Sequence, residues 1–152
     1  RQLATNSGLP QLDLTENPTA ESADAKLIWL PMLGDDLKWG AFQSCEAFIL
    51  PSHQENFGIA VAEALACGRP VLISNKVNIW REIEEDGAGI VTPDTEAGVT
   101  TLLKRWTKLD ATTRATMSKA ATRCFEQRYE ITRAAESLAS TIAGCLPAKL
   151  AD

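Results

Sequence analysis

Apolar residues along the chain fall into short unbroken runs separated by longer stretches of helical period. Leu27-Ile28-Trp29-Leu30, Phe48-Ile49-Leu50, Val71-Leu72-Ile73 and Gly89-Ile90-Val91 each end at proline, serine or threonine and read as strands, the run before Pro51 as a buried one. Between them Leu37, Ala41, Phe42 and Cys45 share one helical face. The stretch 57–67 is apolar all round except for Glu63 and closes at Gly68 with Pro70 just beyond, which predicts a buried helix. A short helix is expected around 79–84 and a turn at Asp86-Gly87. Val99, Leu102, Leu103 and Trp106 mark another helix, capped by Asp94 or Thr95. Asp110 caps a further one carrying Met117, Ala121, Cys124 and Phe125, and Ile131, Leu138, Ile142 and Cys145 line the last. The four tryptophans sit at core-like spacings and read as packing residues.

Strands alternating with helices predict one parallel sheet with helices on both faces, a doubly wound α/β domain over 27–146. Residues 1–26 contain Gly8, Pro10 and Pro18 and no sustained period, so they read as a poorly ordered or loop-like segment, and 147–152 as a tail. In this architecture ligands bind outside the carboxyl ends of the strands, where the loops 33–36, 52–56, 74–78 and 92–94 gather.

One of those loops carries the clearest chemistry. Glu63 is the only charge of its apolar helix, and Glu55 lies eight positions earlier, just before it. A carboxylate in such a helix needs a partner or a cleft, because an unpaired buried charge costs several kcal/mol. Asn56 is the expected N-cap, which leaves the amides of Asn56, Phe57, Gly58 and Ile59 at the positive end of the helix dipole, a place suited to phosphate. Gly58 would let a ligand approach the backbone closely. Acid, anion-binding helix start and second acid together sketch a nucleotide sugar: ribose on one carboxylate, diphosphate on the amides, sugar hydroxyls on the other carboxylate. The plainer readings are a solvated loop acid for Glu55 and, for Glu63, an ion pair with Arg69 or Lys76 or bonds to loop amides. His53 reads as a solvated loop residue, and Lys76 and Arg81 as partners of acids such as Glu82 or Glu84, with the diphosphate as their alternative.

The segment Glu55-Asn56-Phe57-Gly58-Ile59-Ala60-Val61-Ala62-Glu63-Ala64 resembles the E-x7-E motif of the GT-B glycosyltransferases of family 4, or group 1. Pro51-Ser52 before it and Ala66-Cys67-Gly68-Arg69-Pro70-Val71-Leu72 after it resemble that motif's flanks. The likeness continues through Trp80-Arg81-Glu82-Ile83, Gly87-Ala88-Gly89-Ile90-Val91 and Pro93-Asp94, and spans about residues 27 to 145. E-x7-E alone arises often by chance; with both flanks and the later glycine pair it is specific. The resemblance implies the C-terminal, donor-binding half of a GT-B fold, Rossmann-like and truncated on its N-terminal side, with residues 1–9 as the tail of a helix whose preceding strand is missing. It implies transfer of a sugar from a nucleotide diphosphate sugar to an acceptor with retention, in polysaccharide or glycan biosynthesis. Glu55 would be the catalytic glutamate against the transferred sugar, Asn56, Phe57, Gly58 and Ile59 the donor-binding helix start, and Glu63 the ribose ligand. No cofactor is required beyond the donor, and no metal is expected. The acceptor, a sugar or lipid-linked sugar, would come through a missing N-terminal domain, so the fragment alone is expected to be inactive. Asn56 stands where many members have glycine, and 74–79 lacks their Gly-Gly pair, which bears on the sugar accepted. A GT-B sugar-nucleotide epimerase and a non-catalytic scaffold with a vestigial cleft are the alternatives; the absence of G-x-G-x-x-G after a strand disfavours a dehydrogenase.

Composition narrows the partners. With 152 residues, 45% hydrophobic and 23% charged, the chain is one ordinary globular domain's worth. A net charge of −5 disfavours nucleic acid or an anionic membrane surface as partner. No apolar stretch approaches a membrane span and no signal peptide is visible, so a cytoplasmic place is expected, with the inner membrane face open to the full-length protein. Cys45, Cys67, Cys124 and Cys145 are far apart and read as small buried hydrophobes. One histidine and no Cys/His cluster argue against a zinc site. The chain begins with Arg1 and not Met and reads as a piece of a longer protein; an uncovered sheet edge should make it marginal or prone to self-association.

Overall fold

In a computed structural model, which describes residues 10–15 and 24–145, the apolar runs become strands and the periodic stretches helices. The chain divides into two compact units, Arg1–Lys38 and Trp39–Asp152. In the first, strand β1 (Gln11–Asp13) pairs in parallel with β2 (Leu27–Trp29), Leu12 opposite Ile28. The Trp29 indole donates to Gln11 Oε1 at 3.1 Å. This corrects two expectations. A strand lies within the segment read as loop, and Leu27–Trp29 pairs with it in a two-stranded sheet instead of joining the other three expected strands. Gln11-Leu12-Asp13 is too short to carry a period, so only its pairing partner makes it a strand. The helix tail expected at 1–9 and the tail at 147–152 lie outside the described residues.

After helix α1 (Asp35–Ser44) the second unit continues through β3 (Phe48–Leu50), α2 (Ile59–Ala66), β4 (Val71–Ser74), α3 (Trp80–Glu85), β5 (Gly89–Thr92), α4 (Glu96–Lys108) and α5 (Ala111–Cys124). A π-helical turn, Phe125–Tyr129, then leads into α6 (Ile131–Cys145). The strands form one parallel sheet in the order β3-β4-β5. All four residues of the central strand β4 are buried, and its alternating side chains serve two cores. Val71 and Ile73 pack with Val61, Leu65, Ile83 and Cys124, whereas Leu72 packs with Ile90, Leu102 and Trp106. A core on each face is what the continuous apolar run of β4 predicts, and each fully buried Leu, Ile or Val contributes about 1.5–3 kcal/mol. The expected doubly wound α/β character is therefore present, with all strand pairs parallel.

Local signals set the helix ends. Thr95 Oγ1 accepts from the Gly98 amide at 3.0 Å and Asp110 Oδ1 from the Thr113 amide at 2.7 Å, capping α4 and α5 as expected. Helix α2 closes on Gly68 at φ +67°, with Gly68 N–H donating to Leu65 O and Arg69 N–H to Ala64 O, both at 2.9 Å, the Schellman arrangement. Helix α4 can start beside β5 only because residue 98 is glycine: a Cβ there would sit 1.9 Å from Pro93 O.

Two side-chain expectations change. All 15 residues of α6 are exposed, so the apolar stripe of Ile131, Leu138 and Ile142 exists but is uncovered among the described residues. Of the cysteines, all free thiols, only Cys124 is fully buried; Cys45 and Cys67 are half-buried and Cys145 is exposed. No helix among the described residues is long and apolar enough to cross a membrane.

Candidate functional site

Pro51 stops β3, and the loop that follows crosses the carboxyl ends of β4 and β5. There it is held by hydrogen bonds from its neighbours. The Glu55 amide donates to Lys76 O at 3.0 Å and the Asn78 amide to Glu55 O at 3.1 Å, an isolated parallel bridge between Glu55 and Val77. The Ser74 hydroxyl donates to Ser52 O and accepts from the Lys76 amide at 3.2 Å. Ser52 Oγ in turn donates to Glu55 Oε1 at 3.3 Å. The Asn75 amide reaches Thr92 O at 2.9 Å, and His53 Nδ1 lies 3.1 Å from Asp94 Oδ2. The bond from His53, helped by the charge of Lys76, holds the Asp94 carboxyl below its ordinary range. Three of the four loops expected at the rim, those after β3, β4 and β5, are thus tied together.

The helix start differs from expectation. Gly58, not Asn56, is the N-cap of α2, at φ +76° and ψ +62° and without a side-chain cap. The bridge to Val77 keeps Glu55 extended, so the chain cannot coil until Gly58 turns it in a conformation other residues rarely adopt. The space beside the Gly58 Cα is filled by Val77 Cγ1 and Val61 Cγ2, 3.1 and 3.3 Å from where a Cβ would stand. Glycine here serves the turn and the packing. The Val61 and Ala62 amides bond back to Gly58 O at 2.8 and 3.2 Å, while those of Ile59 and Ala60 donate to no backbone carbonyl among the described residues. These two amides are the dipole-oriented donors at this end of α2.

Gln54, Glu55, Asn56, Phe57, Gly58 and Ile59 line an open crevice of about 610 Å³. Five of the six residues singled out in the sequence therefore meet at one surface. Glu63, eight positions after Glu55 and about one turn into α2, is half-buried and does not line it. Phe57 is 44% exposed and packs its edge on Tyr129, ring centres 5.6 Å apart. Arg81 lies over the Trp80 ring at 4.6 Å and Lys76 is exposed. Among the described residues no group of three or more His, Cys, Asp or Glu side chains gathers as metal ligands would. Sequence reasoning missed Ser74, which is 1% exposed. The available signal was a lone hydroxyl at the end of a wholly buried strand, where an unbonded polar group is costly.

Compared with known proteins, residues 15–123 match the family model described as glycosyl transferases group 1. A D-inositol 3-phosphate glycosyltransferase of Saccharomonospora viridis is 30% identical over 110 residues, which are 71% of this chain and 25% of that protein. One from an Arthrobacter species is 29% identical over 89 residues, 59% of this chain and 21% of its own length. Among solved structures, sucrose-phosphate synthase from Thermosynechococcus elongatus matches with a TM-score of 0.63 at 18% identity, covering 86% of this chain and 32% of that one. That structure supports the fold. The chain spans about a quarter of the curated relatives it matches.

Proposed function

Since the chain belongs to the group 1 glycosyl transferases, we propose that the crevice at residues 54–59 holds a nucleotide diphosphate sugar and that the whole protein transfers the sugar to an acceptor with retention at the anomeric carbon. The reading rests on one observation: a carboxylate, Glu55, fixed in place beside the amino end of α2, whose Ile59 and Ala60 amides have no backbone acceptor among the described residues. When the bond from the anomeric carbon to the diphosphate breaks, negative charge grows on the diphosphate oxygens. Fixed amide dipoles favour that charge without reorganising. The acceptor oxygen takes the vacated bond and its proton leaves with the departing diphosphate or to water. Glu55 accepts hydrogen bonds from hydroxyls of the transferred sugar, and Glu63 from the ribose in the assembled cleft. The acceptor, a sugar or lipid-linked sugar in glycan synthesis, meets the donor from the part of the protein outside this chain. No cofactor besides the donor takes part.

The test separates the two glutamates in the whole protein. A charged hydrogen bond is worth about 1.5–3 kcal/mol, roughly a tenfold to hundredfold change in affinity. Glu63→Ala is expected to weaken both the nucleoside diphosphate and the nucleotide sugar by that factor, because both contain ribose. Glu55→Ala is expected to weaken the nucleotide sugar alone. Calorimetry with uridine, guanosine and adenosine diphosphates and their hexose conjugates reads both. Absence of binding by all of them would remove the proposal, and equal losses for both ligands at Glu55 would reverse its role.

A further inference from the structure

We propose that Ser74 is a positioning residue that aims the Glu55 carboxylate. The inference rests on the donor reading above and adds a residue outside the expected motif. Ser74 ends β4 with 1% of its surface exposed, so it touches no ligand in the crevice, whose lining is residues 54–59. Its hydroxyl is nevertheless the joint between the two loops that meet at Glu55. As donor it fixes the carbonyl of Ser52, and as acceptor it fixes the amide of Lys76 at 3.2 Å. Each of these residues then holds Glu55 in a different way. Ser52 reaches forward with its own hydroxyl to Glu55 Oε1 at 3.3 Å, and the Lys76 carbonyl accepts from the Glu55 amide at 3.0 Å. One buried hydroxyl thereby sets both the backbone of Glu55 and one of its carboxylate oxygens.

The direction of control follows from burial and from what is rigid. Ser74 belongs to the central strand, paired on both sides through Leu50–Ile73 and Ser74–Thr92, whereas Ser52 to Phe57 is loop with four exposed residues, His53, Gln54, Asn56 and Phe57. A loop of this kind samples many conformations unless its backbone groups are tied down, and a carboxylate displaced by about 1 Å loses much of its effect on a reacting sugar. Replacing Ser74 by alanine removes the joint and leaves the Ser52 carbonyl and the Lys76 amide to find water. The apolar packing of the sheet is carried by Val71, Leu72 and Ile73, which the change leaves in place.

Ser74→Ala should therefore act through Glu55 and through nothing else. In the whole protein, its affinity for uridine, guanosine or adenosine diphosphate, whichever the wild type binds, is expected to stay within about twofold. Affinity for the matching hexose conjugate should fall about tenfold, the factor that corresponds to one ordinary hydrogen bond. In the double variant with Glu55→Ala the two losses should not add, because the second change removes what the first was positioning. Ser74→Thr, which keeps the hydroxyl, is expected to restore the hexose conjugate's affinity. Exchange of the Glu55 amide proton, followed by NMR without any ligand, should speed up about tenfold in Ser74→Ala. Additive losses, equal losses for both ligands, or unchanged exchange at Glu55 would each overturn the inference. A wild-type protein that binds no nucleoside diphosphate would instead remove the donor reading, and with it the positioning role; the exchange result would then report the tether alone.

Discussion

At the scale of single residues, the carboxylate pair and the helix after it are visible in the sequence because their spacing is local, whereas the group that aims one of them is not. Asn56 is a reasonable N-cap by residue type, yet the cap falls two residues later, at Gly58. The reason is the bridge between Glu55 and Val77, a contact between loops that no local pattern announces. Tyr129 offers a sharper test of single-residue reasoning. Its ring supports Phe57 at the crevice, but its hydroxyl is buried without a hydrogen-bond partner among the described residues, and burial raises its pKa. A buried hydroxyl without a partner costs about 1–3 kcal/mol. Tyr129→Phe is thus expected to leave thermal stability unchanged or raise it, while Tyr129→Leu should lower it by about 0.5–1.5 kcal/mol through the lost edge-to-face contact. Calorimetric melting of both variants decides: a clear loss in Tyr129→Phe would mean that the hydroxyl is satisfied.

At the scale of elements, caps and periods are legible and their destinations are not. Thr95 and Asp110 cap α4 and α5 where the sequence places them, because a cap is a contact over three residues. The stripe of α6 is equally legible, but periodicity says which side of a helix is apolar and not what covers it. Between elements, Arg128 of the π-helical turn clamps the end of α3: it donates to Asp86 Oδ2 at 2.7 Å and Oδ1 at 2.8 Å, and to Glu85 Oε2 at 3.0 Å. The Arg128 bond is the main cause holding the Asp86 carboxyl below its ordinary range. A carboxylate with a lowered pKa contributes stability that is fully present above its unfolded pKa and is lost as pH falls through the folded value. With Asp86 mostly shielded and Glu85 exposed, only the Asp86 pair should count, at about 1–2 kcal/mol. Arg128→Met should lower unfolding free energy by that amount near neutral pH, and the gap should close as the pH is taken down through the acid range. Urea titrations at several pH values check it; a gap that persists unchanged into strong acid would show that packing of the side chain, and not its charge, holds the junction.

At the scale of the whole molecule, the class of fold was readable because strands and helices alternate, and the number of sheets was not. Which strands pair depends on contacts between distant residues, and Gln11–Asp13 becomes a strand only by pairing with Leu27–Trp29. Within the second unit the strand order β3-β4-β5 repeats the order of the chain. Each pairing therefore closes a loop made of one helix and its two turns, and such short closures cost little entropy. That has a kinetic consequence. Parallel sheets are ordinarily slow to assemble because their strands must wait for distant partners, but here β4 meets both of its neighbours early, and its four buried residues join the two cores. Nucleation should centre on that strand. Ile73→Val, a deletion of one buried methylene, should slow refolding by most of its equilibrium cost, a φ-value above about 0.5, whereas changes in exposed α6 should leave the refolding rate alone. As the chain leaves the ribosome, the sheet can close once Thr92 has emerged, and Leu72 and Ile90 then wait for the Leu102 and Trp106 side chains that cover them.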